Sequence, residues 1–216
     1  NTFLNPMSFL YEEPMNLLKQ EVREPAIYTA IITAIATGHS RMSEISTKVG
    51  EDTNVCSGYL KNLINLGIIK KETPYGEKTS KKSIYSIEDN MFCFWYRFVL
   101  DNNSIIVRGA ADLVYKKIEA QLSDYMGRVF EDISAQYLWK QLLTGNSPVE
   151  FTSLGRWWGN DSKKKCQAEI DIMGEQDSNT ALFAECKWRN ENVDLDVLET
   201  LIDRSRLFHY TKMHYF

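Results

Sequence analysis

The sequence has few of the residues that build zinc sites and disulfide frameworks, and no long apolar run. Its 216 residues include 4 cysteines and 3 histidines. Cys56, Cys93, Cys166 and Cys186 stand too far apart to form a CxxC pair or a zinc cluster. We therefore expect reduced thiols in a cytoplasmic protein. No apolar run approaches the ~20 residues that cross a bilayer, so no membrane partner is expected.

The sequence also lacks an excess of positive charge. It carries 25 lysines and arginines against 29 aspartates and glutamates, a formal net charge of −4. This balance excludes a bulk polycation that coats nucleic acid, although a local basic patch is compatible with it. The length is sufficient for one large or two small domains. Apolar residues at both ends, such as Phe3 and Phe216, lack partner segments, so we expect a fragment of a longer protein.

The first half of the chain shows the element order of a winged helix-turn-helix domain. Pro25 suits the first position of a helix, and Gly38, Gly50 and Gly67 follow the three predicted helices. Two strand-like segments come next, joined by a turn-rich stretch, and we predict that they pair antiparallel as a β-hairpin. We predict helices over residues 25–37, 43–49 and 53–66 and strands over 68–73 and 83–87. The predicted domain covers residues 25–90 and follows an N-terminal linker and helix over 1–24.

We predict an α+β or α/β fold for the whole chain, and the second half indicates an α/β domain with a central mixed sheet flanked by helices. Residues 91–100 are apolar nearly all round, which favours a buried helix over a base-stacking platform. After an irregular stretch at 101–104, the predicted helices are 110–121, 123–143 and 195–208, and the predicted strands are 149–152, 166–173, 181–188 and 209–216. We expect a helical connector over 91–122 and an α/β domain over 123–216 that is truncated at its C-terminus.

Two neighbouring predicted strands carry the strongest candidate for chemistry. Strict alternation places Ile170 and Ile172 on one face of the first strand and Asp171 on the other. Glu185 and Lys187, two residues apart on the next strand, share a face. Asp171 and Glu185 would supply two oxygen ligands for Mg²⁺, and Lys187 would position a water molecule or stabilise charge on a phosphate. A salt bridge at a sheet edge explains the same pattern without catalysis.

A third acid, Glu131, belongs to the predicted helix over 123–143. Gly127, Ala135 and Leu138 share its helical face, so its carboxylate has small and apolar neighbours. Small and apolar neighbours of this kind allow a helix to pack beside a metal site with its carboxylate facing the metal. Asp132 points elsewhere and is expected to be solvated.

Basic residues concentrate in the winged helix region. The stretch from residue 61 to 82 holds six lysines and two glutamates, a net charge of +4. This local excess favours contact with nucleic-acid phosphates, with protein contact as the alternative. The candidate nucleic-acid-binding residues are Lys61, Lys70, Lys71, Lys78, Lys81 and Lys82.

The loop predicted at 156–165 is a second basic candidate. Trp157 and Trp158 stand beside Arg156 and a run of three lysines, Lys163–Lys165, as stacking faces and charges do in single-strand binders. The alternative is an inward-packed Trp157 and a solvated lysine run.

The acidic motif resembles the PD-(D/E)XK nuclease core. Asp171 and the sequence Glu185-Cys186-Lys187, preceded by the helical Glu131, match its pattern, except that Ile170 stands where a proline is common. The resemblance implies a magnesium-dependent phosphodiesterase. Its catalytic residues would be Glu131, Asp171, Glu185 and Lys187, and its metal ligands Asp171 and Glu185.

Five short stretches along the chain carry a second resemblance: 9–14 (FLYEEP), 23–25 (REP), 91–98 (MFCFWYRF), 155–159 (GRWWG) and 185–188 (ECKW). With these stretches the whole chain resembles the C-terminal arm of archaeal-type AAA+ ATPases, also called DEXX-box ATPases. In that family a P-loop domain precedes a winged helix and a nuclease-like domain of unknown function.

The sequence has no GxxxxGK[ST] motif, so ATP would be bound only by the missing N-terminal domain. The implied partners are that ATPase domain in the same chain and nucleic acid, and homo-oligomer formation stays open. We expect either a magnesium-dependent nuclease or a non-catalytic module that binds nucleic acid or protein and regulates the ATPase.

Overall fold

The computed structural model describes residues 2–79 and 81–216, which form two compact units. The first unit comprises residues 2–72 and 81–121, and the second comprises residues 73–79 and 122–216. The architecture is α+β, with a mixed sheet in the second unit, as predicted. None of the helices in these ranges combines the length and apolar character that a membrane span requires.

The first unit begins with four helices and a hairpin. Pro25 occupies the first turn of α2, where its missing N–H costs no hydrogen bond, and Gly50 ends α3 with a φ of 79°. The two strands pair antiparallel, from Ile69 opposite Ile87 to Glu72 opposite Ile84, which confirms the predicted pairing. The elements are α1 (Phe9–Glu21), α2 (Pro25–Ala36), α3 (Met42–Val49), α4 (Thr53–Asn65), β1 (Ile69–Glu72) and β2 (Ile84–Ile87).

The aromatic segment after β2 is buried. Asp89 begins α5 (Asn90–Phe94) by accepting hydrogen bonds from the backbone N–H groups of Met91 (2.6 Å) and Phe92 (3.2 Å). A π-helical turn (Trp95–Val99) and a 3₁₀ turn (Leu100–Asn102) follow, and α6 (Asn103–Val107) comes next. The irregular stretch predicted at 101–104 is therefore wrong. Trp95, Tyr96 and Phe98 are buried, which confirms the core prediction for this segment.

A single helix, α7 (Ala111–Leu143), replaces the two helices predicted at 110–121 and 123–143. The predicted break at residue 122 is wrong because neither glycine nor proline stands there to end the helix. The boundary between the two units falls within α7.

The sheet of the second unit has the order β3-β4-β5-β6, with antiparallel pairs except for the parallel β5–β6 pair. A strand forms over 154–161, where a loop was predicted, and the strand predicted at 149–152 is wrong. Val149 and Phe151 are nevertheless buried, as loop residues. The predicted strand 181–188 ends early, at Ala184. The elements are β3 (Leu154–Asp161), β4 (Cys166–Glu175), β5 (Thr180–Ala184), α8 (Leu195–Ser205) and β6 (Lys212–Tyr215).

Each face of this sheet carries its own apolar cluster. Leu182 and Ala184 of β5 pack in the cluster that includes Leu138 of α7. Phe183, between them on the strand, packs in the cluster that includes Leu201 of α8. Because side chains alternate along a strand, α7 and α8 cover opposite faces.

A β-bulge in β4 breaks the predicted alternation. Trp157 of β3 pairs with Ile170 and Gly155 pairs with Met173, so two residues of β4, Asp171 and Ile172, stand opposite Arg156 alone. Ile170 therefore joins the α8 cluster, and Ile172 joins the α7 cluster. The prediction that Ile170 and Ile172 share a face is wrong, because one extra residue reverses the alternation.

Candidate functional site

Asp171 lies at the bulge of β4 and is 7% exposed. Its Oδ2 accepts a hydrogen bond of 2.8 Å from the backbone N–H of Cys186. Cys186 lies two residues beyond the end of β5, where the hydrogen-bond ladder with β4 has stopped. The carboxylate thus replaces a ladder contact and fixes the Glu185–Lys187 segment beside β4.

Glu131 lies on α7, with a side chain that is 20% exposed. Its Oε2 is 3.3 Å from Nε of Arg156, the residue opposite the bulge. Burial raises the pKa of Glu131 from 4.5 to about 7; the Arg156 charge lowers it, and the Asp171 charge raises it further. The strand acid Asp171 is therefore close enough to affect the ionisation of Glu131 on the helix.

Glu185 is held by two cations. Nζ of Lys187 lies 2.5 Å from its Oε1, and Nη1 of Arg204 lies 3.3 Å from its Oε2. The Glu185 side chain is only 9% exposed, so this double pairing compensates a carboxylate with little access to water. The sequence reasoning missed Arg204. One signal in the sequence was available. Arg204 stands three residues after Leu201, so it shares the helical face that Leu201 buries against the sheet.

The thiol of Cys186 lies within electrostatic reach of the three acids. Burial raises the pKa of this thiol to about 11, and the charges of Asp171, Glu131 and Glu185 each raise it. A hydrogen bond with Ser134 of α7 lowers it. The thiol therefore stays protonated at neutral pH, unlike a nucleophilic cysteine, whose pKa is lowered.

The donor set permits a test for magnesium. Across the described ranges, no group of three or more His, Cys, Asp or Glu side chains is arranged to hold a metal ion. Magnesium, however, needs only one or two carboxylates, with water and phosphate oxygens completing its shell. Oδ1 of Asp171 accepts no hydrogen bond from any described residue, and Glu131 lies nearby. By donor chemistry these two carboxylates suit a hard divalent cation, and Glu131 is also paired with Arg156 at 3.3 Å. The sharing of one Mg²⁺ by Asp171 and Glu185 stays a prediction.

The predicted nucleic-acid-binding lysines lie on α4, on β1 and between β1 and β2. Lys61 is exposed on α4. Lys70 forms long ion pairs with Glu72 (3.7 Å) and Glu88 (4.0 Å), and the ammonium of Lys71 is 6.0 Å from the Tyr85 ring centre. The other three, all exposed, follow β1: Lys78, which belongs to the second unit, and Lys81 and Lys82, which belong to the first.

Trp157 packs inward, as one of the two alternatives predicted. Its ring stands edge-to-face with Phe208 at 5.1 Å, in the cluster beneath α8. This residue is therefore part of the core rather than a base-stacking surface.

Two comparisons with known proteins found a match: one with a family model and one with an individual protein. The family model that matches residues 95–198 is described as archaeal and bacterial proteins of unknown function, DUF234. A protein of Methanocaldococcus jannaschii, named as uncharacterized, is 36% identical over 185 residues, which cover 85% of this chain. The chain spans 40% of the length of that relative. No solved structure matches the chain.

Proposed function

We propose that the second unit is a PD-(D/E)XK-type domain that binds nucleic acid and hydrolyses its phosphodiester bonds with magnesium. The supporting observation is that Oδ2 of Asp171 accepts a 2.8 Å hydrogen bond from the N–H of Cys186, the middle residue of Glu185-Cys186-Lys187, while the Asp171 charge also raises the pKa of Glu131 on α7. The order of a flanking helix acid, a strand acid and Glu-x-Lys is the one that the nuclease core uses.

The residues divide the chemistry between them. Asp171 and Glu131 would hold Mg²⁺, which supplies Lewis acidity toward the phosphate and lowers the pKa of a water molecule. Glu131, whose pKa is about 7 without a cation, would lose its proton when Mg²⁺ binds beside it, so metal binding near neutral pH would release a proton. Lys187, held by Glu185 at 2.5 Å, would be fixed in position to stabilise charge on the phosphate.

The direct test is cleavage of nucleic acid by the chain itself. Labelled single-stranded DNA, duplex DNA and single-stranded RNA are incubated with millimolar Mg²⁺ or with EDTA, while calorimetry follows Mg²⁺ binding. We expect slow cleavage that requires Mg²⁺, together with binding heat. Absence of both would contradict the nuclease proposal.

A second candidate function is a non-catalytic module that binds nucleic acid or protein and regulates an ATPase. The pairing of Glu185 with both Lys187 and Arg204 favours it, because a carboxylate already neutralised by two cations is a poor metal ligand. Nucleic-acid binding without cleavage in the same experiment would support this candidate over the nuclease.

We further propose that the first unit contains a winged helix and that the chain is the C-terminal arm of an AAA+ ATPase. The three-helix and hairpin order of α2 to β2 supports the winged helix. The resemblance along the chain supports the ATPase, whose P-loop domain would bind ATP and act as a partner in the same polypeptide, with homo-oligomer formation still open. The wide spacing of the cysteines favours a reducing, cytoplasmic setting.

The lysines after β1 provide a test of nucleic-acid contact by the first unit. Changing Lys81 and Lys82 to Glu should weaken binding to duplex DNA, because each lost phosphate contact lowers the slope of log affinity against log salt by roughly 0.9. Fluorescence anisotropy over a salt series measures that slope. The matched control reverses Lys116 and Lys117, which are exposed on α7. Equal slopes for both double variants would indicate that the hairpin lysines contact protein instead.

A further inference from the structure

The turn between β3 and β4 is rigidly built and carries three consecutive lysines. Asp161, at the end of β3, is only 6% exposed. Its Oδ1 accepts hydrogen bonds from the backbone N–H groups of Lys163 (2.8 Å) and Lys164 (3.0 Å). This carboxylate therefore fixes the turn from inside, while Lys163, Lys164 and Lys165 are exposed.

Lys165 adopts a backbone conformation that favours glycine. Its φ is 55°, and it is the one non-glycine residue with positive φ among the residues that the structure describes. An L-residue is strained there, whereas glycine adopts this conformation without a steric penalty. A lysine at this position is therefore unfavourable for the backbone. Its presence points to a role for the lysine side chain.

The turn also has more positive charge than its neighbours neutralise. Lys164 forms an ion pair with Asp203 of α8, and Arg206 lies 3.8 Å from the same aspartate. One acid thus serves two cations. In the described residues no ion pair involves Lys163 or Lys165, and Asp161 is engaged by the backbone of the turn. The result is a rigid cationic projection on a chain whose net charge is −4.

We propose that Lys163 and Lys165 form a contact site for the phosphodiester backbone of nucleic acid. This inference rests on the proposed function, in that it names a surface of the second unit through which nucleic acid would be held. Trp157 is packed in the core and offers no stacking face, so the contact that we propose is made by lysine charge with phosphates. Lysine serves this purpose as a point charge on a flexible stem.

The strained position allows backbone and side-chain roles to be separated. Lys165→Gly should unfold at the same temperature as the wild type or higher, because it relieves strain, yet bind nucleic acid more weakly. Lys165→Gln should also bind more weakly, whereas Lys165→Arg should bind like the wild type. For each lysine removed, the magnitude of the salt slope should fall by roughly 0.9 on duplex DNA and roughly 0.7 on single strands, hence by roughly 1.8 and roughly 1.4 in Lys163→Gln/Lys165→Gln.

Binding is measured by anisotropy over a salt series with single-stranded DNA, duplex DNA and single-stranded RNA of one length. Lys116→Gln/Lys117→Gln, the same charge change on α7, should keep the wild-type slope. Polyglutamate should compete at least about tenfold less well than DNA, since a phosphate contact is being tested.

If the wild type binds and the lysine variants show the same affinity and slope, this inference fails while the proposed function stands. If the wild type binds none of the three nucleic acids, the proposed function fails with it. Equal competition by polyglutamate would also overturn the inference.

Discussion

Asp171→Asn is expected to lower magnesium-dependent cleavage by at least roughly 100-fold, since metal stabilisation of transition-state charge contributes several kcal/mol. The reason is that the substitution removes the negative charge of the Asp171 carboxylate, which would bind Mg²⁺. The asparagine side chain keeps one oxygen, which can still accept the 2.8 Å hydrogen bond from the Cys186 N–H. The segment after β5 should therefore stay in place, and the free energy of unfolding should change by less than about 1 kcal/mol. Cleavage assays and urea unfolding of the same preparation measure the two effects.

Glu199→Gln provides the matched control, because it removes one carboxylate from an exposed position of α8. It should leave both cleavage and magnesium binding unchanged. Cleavage at the wild-type rate by Asp171→Asn would show that the acidic site is not the source of activity. Glu185→Ala is a less clean test, because it leaves Lys187 and Arg204 without their shared partner and so changes stability as well.

The element order was predictable because local signals in the sequence agree with the fold. Pro25 and Gly50 mark helix ends that the structure retains, and the order of helices and strands in the second unit holds although individual strands shift. Val149 and Phe151 show why they shift. Both are buried, as an apolar alternation requires, but their backbone runs as a loop while the ladder begins only at Leu154. Burial was predictable there and strand pairing was not.

The arrangement of the acidic site depends on two features that the alternation of side chains along a strand does not predict: a β-bulge and a distant arginine. The bulge opposite Arg156 changes the face on which the residues before Asp171 lie, and it arises from the register with β3. Arg204 reaches Glu185 from a helix 19 residues further along the chain. The proposed chemistry uses residue types that the sequence singled out, whereas the charges that compensate them come from tertiary packing.

The ionisation of Glu131 should make the stability of the second unit fall as pH rises from about 4.5 to about 7. Burial is the main reason that the folded protein binds this proton more tightly, with Asp171 and Glu169 adding negative charge and Arg156 and Arg128 opposing them. Between the two pH values the unfolded chain has released the proton and the folded protein keeps it. The stabilisation is therefore complete below pH 4.5 and lost above about 7.

The 2.5-unit difference between 4.5 and about 7 corresponds to about 3 kcal/mol as an upper limit. Glu131→Gln cannot release this proton, so its stability relative to the wild type should rise by up to that amount across the range. Urea unfolding of both proteins at intervals from pH 4.5 to 8 measures the difference between their free energies of unfolding. Subtraction of one from the other cancels the titration of groups that the two proteins share. Added Mg²⁺ should reduce the loss of stability in the wild type alone, because a cation beside Glu131 favours its charged form. Parallel curves for the two proteins would contradict the buried, proton-exchanging Glu131 on which the proposed chemistry depends.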